Sequence, residues 1–154
     1  MKKHTCILAA VLASVAFGPC ARAEPLNHLK PSPLVSAADE LVFVPLDASD
    51  TKHLGVMVHV IFGNLSQKGP VAFLARLPAG YSAGPHSHRS DSYLTTIKGN
   101  YYEWRPGQSE GKVGGVGGTV FVPANVMHNN RCDAQAGSCL NYAYFPEGFS
   151  VVKP

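Results

Sequence analysis

Beyond residue 40 the hydrophobic positions recur with a period of two, and that pattern predicts strands. Leu54, Val56, Val58, Val60 and Phe62 alternate with Gly55, Met57, His59 and Ile61, as in a strand whose successive side chains point to opposite faces. Both faces of this stretch are mostly apolar, which predicts a central strand with His59 as a buried, hydrogen-bonded core residue. Leu41 to Val44 predicts a short strand ended by Pro45, and Val71 to Leu77 predicts another. Gly63-Asn64, Gly69-Pro70 and Pro78-Ala79-Gly80 supply the turns. Tyr93 to Lys98 and Tyr101 to Trp104, separated by Gly99-Asn100, predict a hairpin. Pro106 to Gly118 contains Gly107, Gly111, Gly114, Gly115, Gly117 and Gly118 and predicts an exposed loop. Thr119 to Val122 and Leu140 to Phe145 are the last strands of the pattern. No stretch after residue 23 shows a sustained 3.6-residue period with caps, and there is no internal repeat of useful length. Seven or more short strands in about 115 residues indicate an all-β sandwich or barrel.

The amino terminus follows a different logic. Lys2 and Lys3 precede an apolar run from Cys6 to Gly18, and Ala21-Arg22-Ala23 supplies a small-x-small cleavage site before Glu24. Residues 1–23 therefore read as an export signal, and their apolar run, about 13 residues, is too short to span a bilayer. The rival reading, lipidation at Cys20, is weakened by Pro19, which stands where a small residue is needed. Residues 24–40 carry Pro25, Pro31 and Pro33 and predict an extended arm, which leaves 41–154 as the folded domain.

Composition adds limits. The chain has 154 residues, 45% hydrophobic and 15% charged, enough for one compact domain. Its formal charge of +3 belongs to the signal, because removing Lys2, Lys3 and Arg22 leaves 10 basic against 10 acidic side chains. With no cluster of Lys or Arg, nucleic acid and, after cleavage of the signal, membrane are excluded as main partners. Export predicts a periplasmic or secreted protein in an oxidising compartment. Of four cysteines, only Cys132 and Cys139 lie outside the signal. A disulfide between them would close a short loop, whereas a free Cys132 thiolate, four residues after His128, could bind metal; the two readings exclude each other.

Pro85-His86-Ser87-His88 places two imidazoles two residues apart in an extended segment, on one face. His128 follows the strand Thr119 to Val122, where pairing could bring it opposite them. Three imidazoles on facing strands suit zinc, iron, manganese, copper or nickel with an open coordination position, against the plainer reading of unrelated hydrogen-bonded histidines. Asp91 is the nearest carboxylate in the sequence.

The surrounding frame favours the first reading. Gly80 lies six residues before His86 and Gly99 eleven after His88, while Gly117 lies six before Pro123 and His128 five after it. This arrangement resembles the two motifs of the cupin superfamily over roughly Leu41 to Phe149, and the resemblance implies a single-domain, jelly-roll-like β-barrel with His86, His88 and His128 as metal ligands. Arg76-Leu-Pro-Ala-Gly-Tyr81, His-Ser-His-x-x-Asp and the final Val-Lys-Pro look most like the ChrR-like cupins and their bacterial relatives. Three positions depart from the pattern. Ser92 stands where the family has its ligand glutamate, Asn125 replaces a glycine and Cys132 replaces an asparagine. Asp91 is one residue out of register and can serve as a ligand only at a bulge, or it can orient a histidine or act as the catalytic general base. The expectations are an exported metal-dependent enzyme acting on a small molecule, or a non-catalytic metal or small-ligand sensor of the ChrR-like type. Either could pair edge strands into a homodimer.

Overall fold

The computed structural model describes residues 37–154 apart from 53, 110 and 112, so the expected signal at 1–23 and nearly all of the arm at 24–40 lie outside the described residues. Nine strands and no helix occur among the described residues. They are β1 Val44–Pro45, β2 Met57–Phe62, β3 Val71–Leu77, β4 Ser92–Lys98, β5 Tyr101–Trp104, β6 Val113–Gly114, β7 Thr119–Val122, β8 Asn129–Cys132 and β9 Cys139–Phe145. A six-stranded sheet runs in the order β1-β2-β3-β9-β4-β7 and a three-stranded sheet in the order β6-β5-β8, with all pairings antiparallel.

Burial explains why these segments are strands. In β9 the residues Cys139, Asn141, Ala143 and Phe145 are buried while Leu140, Tyr142 and Tyr144 are only half-buried, the alternation of a strand with one face to the interior. Beside it, β3 buries Val71, Phe73, Ala75 and Leu77. These side chains form one core with Val58, Tyr101 and Cys132, which joins the two sheets. Phe73 stacks on Phe145 with centroids 5.8 Å apart, and Phe149 closes edge-on against both at 5.5 and 5.2 Å. Such pairs add about 0.5–1.5 kcal/mol each beyond the area they bury. On the outer face Tyr93, Phe121, Tyr144 and Phe62 form a chain of ring contacts, and Tyr93, Phe121 and Phe62 are exposed.

Several expectations need correcting. β2 is not central: its outer neighbour β1 has two residues, so Val58 is fully buried but Val60, Ile61 and Phe62 remain exposed. His59 is accordingly half-buried, its Nδ1 2.9 Å from the Val42 carbonyl oxygen. β1 is Val44–Pro45 rather than Leu41 to Val44, with Pro45 as its last residue, which an edge strand allows because Pro lacks only the donor that would face solvent. The predicted hairpin is not formed, for β4 pairs with β9 and β7 whereas β5 pairs with β6 and β8. Gly99, at φ +80°, carries the chain from one sheet to the other. β8, with the sequence Asn-Asn-Arg-Cys, has no hydrophobic signal and was not expected as a strand.

The turn after β2 is closed by backbone packed against Gly63. Gly63 has φ +82°, and a Cβ there would stand 2.3 Å from the Pro70 carbonyl oxygen. Gly63→Ala therefore meets the left-handed penalty of about 1–2 kcal/mol with a backbone collision added. The expected outcome is a lower urea midpoint at unchanged slope; an unchanged midpoint contradicts this account of the turn.

Candidate metal centre

Backbone pairing brings the three histidines together. His86 and His128 form an antiparallel bridge in which each N–H donates to the other's carbonyl at 2.9 Å. Ser87, between the two histidines of the first segment, bridges in the same way to Val152. Its extended backbone sends His86 and His88 to the same side. The Asn125 N–H donates to the His88 carbonyl at 2.7 Å, and Asn125 has φ +62°. That is the left-handed region, which Asn is among the few non-glycine residues to adopt at modest cost. Asn125 thereby ties the loop leading to His128 to the backbone of His88.

All three rings are buried and in contact, with centroids 4.2 Å apart for His86 and His128, 5.0 Å for His86 and His88, and 5.1 Å for His88 and His128. One ligand nitrogen from each lies within 4.8 Å of the other two. The second ring nitrogen is already engaged. Nδ1 of His86 meets the Gly84 carbonyl oxygen at 2.9 Å, Nδ1 of His128 meets that of Val126 at 2.9 Å, and Nδ1 of His88 meets that of Ser150. A carbonyl only accepts, so each Nδ1 carries the proton and each Nε2 keeps its lone pair. Burial lowers the pKa of all three, His88 to about 4, so the rings are neutral at pH 7. Neutral imidazoles held by a backbone carbonyl on the far nitrogen are the donor set a divalent transition metal takes, and these residues fit one.

The carboxylates are arranged differently from the sequence expectation. Asp91 lies outside the three-histidine cluster, and its Oδ1 accepts the Ala124 N–H at 2.8 Å. Ser92, in the register of the family glutamate, donates its hydroxyl to the Val122 carbonyl at 3.4 Å. The carboxylate beside the cluster is Glu103 of β5, whose Oε1 stands 3.5 Å from Nε2 of His128. Tyr101, on the same face of β5, donates its hydroxyl to Glu103 Oε2 at 2.7 Å. The contact is close enough for an ion pair, yet burial holds the His128 imidazole below its usual range and pushes the Glu103 carboxyl up to about 8. Both partners are thereby driven toward their neutral forms, because the interior penalises charge. Glu103 was missed from the sequence. The available signal was its i, i+2 spacing from Tyr101 on a strand, which puts an acid in line with an inward aromatic ring.

This environment has a measurable consequence in the metal-free protein. The unfolded chain releases the Glu103 proton near pH 4.5, whereas the folded protein keeps it to about pH 8. Stability from this group is complete below pH 4.5 and is lost as pH rises through 8. The histidines act with the opposite sign, but at and below their unfolded value of 6.5. Between pH 6.5 and 8 the unfolding free energy of the metal-free protein should fall by about 1 kcal/mol per pH unit, and Glu103→Gln should flatten that slope. Equal slopes in urea titrations of the two proteins would contradict the assignment.

Beside the cluster is a cavity of about 160 Å³, lined on one side by His86 and His88 and elsewhere mainly by apolar side chains, including Phe73, Leu94, Ala143 and Phe145. Cys132 is joined to Cys139 in a disulfide with Cα atoms 5.8 Å apart, so it is not a fourth metal ligand.

No family model and no curated protein matches the chain. Solved structures do. KdgF from Halomonas sp. superposes with a TM-score of 0.54 at 15% identity, over 71% of this chain and 92% of that one. An RmlC-like cupin from Ralstonia eutropha JMP134 gives 0.59 at 18% identity, over 76% and 70%. A chain of the complex between Rhodobacter sphaeroides SigE and the anti-sigma ChrR gives 0.53 at 15% identity, over 71% of this chain and half of that one. The chain has the single-domain, all-β cupin fold, with the Gly80 to Gly99 and Gly117 to His128 motifs meeting at three histidines.

Proposed function

We propose that this is an exported cupin that holds one divalent transition metal on His86, His88 and His128 and acts on a small molecule in the adjoining cavity. The observation that carries the proposal is the set of three neutral, buried imidazoles, each with Nδ1 held by a backbone carbonyl and the other nitrogen left for a shared ion. When bound, the metal supplies a Lewis acid with an open coordination position, able to polarise a substrate oxygen or activate water or dioxygen. The protein does the rest. Phe145 and Phe149 pack against His88 at 5.0 and 5.7 Å and keep water from that side of the ring. Asp91 holds the Ala124 amide and so sets the loop that delivers His128. Glu103, steadied by the Tyr101 hydroxyl, is the group placed to hold or accept a proton next to the cluster, the role the sequence suggested for Asp91. The buried disulfide is consistent with an oxidising compartment, periplasmic or extracellular.

A second reading, a non-catalytic metal or ligand sensor, draws support from the likeness to the ChrR complex. Cupin folds serve catalysts and binders alike, so the site rather than the fold must decide. Elemental analysis of protein purified from its own export compartment tests what both readings share. One equivalent of zinc, iron, manganese, copper or nickel is the expected result, and protein free of metal overturns it. A redox-active element favours the enzyme reading.

A further inference from the structure

The metal reading leaves one buried group unused. Asn141, at 1% exposure, lies in the inward register of β9 with Cys139, Ala143 and Phe145, between Ala75 of β3 and Thr96 of β4. It lines the same cavity as His86 and His88, and neither its Oδ1 nor its Nδ2 has a hydrogen-bond partner. Asn130 of β8 lines that cavity too and brings a further buried, unpartnered atom, its Oδ1. A core position that needed only to be filled would hold an apolar side chain here. Burying an amide with both ends unpaired is so unfavourable that native interiors seldom do it without a bound partner.

The placement of these groups describes that partner. Asn141 and Phe145 are four residues apart on β9, about 13 Å along the strand, and the Phe145 ring is 5.0 Å from the His88 ring. The cavity is thus polar at its histidine end and at its asparagine end, with Phe73, Leu94 and Ala143 between. Lys153 also lines it and directly follows Val152, which bridges to Ser87 between the two histidines, so the histidine end favours an anion. Its volume of about 160 Å³ is near that of engineered core cavities that accept benzene.

We propose that Asn141 forms a neutral recognition subsite at the end of this cavity away from the histidines, selecting a small carboxylic acid whose far end presents a hydrogen-bond donor and acceptor side by side, as a carboxamide or lactam does. The carboxylate end rests on the proposed metal function, whereas the asparagine subsite stands without it. Asparagine offers one donor face and one acceptor face and no charge, which matches a neutral amide and leaves a charged terminus without a counterion. A ligand of the same shape but with an apolar tip would leave the amide as unpaired as before.

The test compares two acids of equal heavy-atom count, adipamate and 6-methylheptanoate, by titration calorimetry on the metal-loaded and metal-stripped protein. Wild type is expected to bind adipamate about tenfold or more tightly over 6-methylheptanoate. Asn141→Leu, which has nearly the same shape, should abolish or reverse that preference while melting no lower than wild type. If leucine crowds the core, Asn141→Val provides the same comparison. Equal affinity of wild type for the two acids, an identical preference in the variant, or binding of neither acid overturns the subsite; the first is what an asparagine holding only an ordered water would give. Metal-stripped protein that retains the preference upholds the subsite even if no metal is ever found, so failure of the metal reading and failure of the subsite are separate results.

Discussion

Replacing either His86 or His128 by alanine is expected to empty the metal site while leaving the barrel folded. Loss of a group that merely orients a metal-bound histidine costs about 10–100-fold in metal affinity, and loss of the ligand itself exceeds that range. The fold should survive for a specific reason. The bridge between residues 86 and 128 is made by their backbone N–H and carbonyl groups, which alanine retains, and neither imidazole belongs to the hydrophobic core cluster. Metal content by elemental analysis and the melting temperature of the same preparation separate the two effects. Full stoichiometry in both variants would sink the three-histidine site. Collapse of the melting transition would instead make these rings structural.

Loss of the disulfide should produce the largest change in stability. Cys132 ends β8 in the small sheet and Cys139 begins β9 in the large one, and both are fully buried. Joining residues seven apart in sequence restricts the unfolded chain by about 2–3 kcal/mol in the chain-entropy picture. Cys132→Ala with Cys139→Ala also removes two core sulfurs, so its cost should exceed that of reduction alone. Urea unfolding with and without a strong reductant, beside the double variant, measures both. Coincident curves would show that the bond contributes nothing. Metal content should be unaffected by either treatment, because Cys139 lies at the end of β9 away from Phe145 and His88.

How much could be read from the chain depended on whether a feature is local. Val71–Leu77 and Thr119–Val122 match their sequence bounds, and Cys139–Phe145 begins one residue earlier than predicted, because a continuous apolar or alternating run states its own strand. The histidine triad was legible for a similar reason: a His-x-His spacing and two flanking glycine frames are patterns within a few residues. What could not be read was partnership. Gly99-Asn100 has the composition of a hairpin turn, yet which strand lies beside β4 is decided by Tyr144 and Phe121 in ladders far away in sequence. β8 escaped notice because Asn129, Asn130 and Arg131 are polar, and polar residues become inward-facing only when a cavity is there to receive them. Glu103 and Asn141 were missed on the same ground. An acid or amide inside an aromatic strand reads as a surface residue until the opposite wall of the barrel is known.

The position of β9 has a consequence for how the chain reaches this structure. It is the last strand of the described residues and yet sits in the middle of the large sheet, between β3 and β4, which come some 70 and 50 residues earlier. Until Cys139–Phe145 arrives, those two strands present unpaired edges, and the inner face of the barrel lacks Ala143 and Phe145. Contacts of such long sequence separation place the chain among the slow folders, in the millisecond-to-second class. The interval before closure is when open edges invite pairing with other chains. A protein built this way completes its large sheet and the Ala143 and Phe145 wall of its cavity only when the last of these strands is in place, so conditions that delay it threaten solubility and function together.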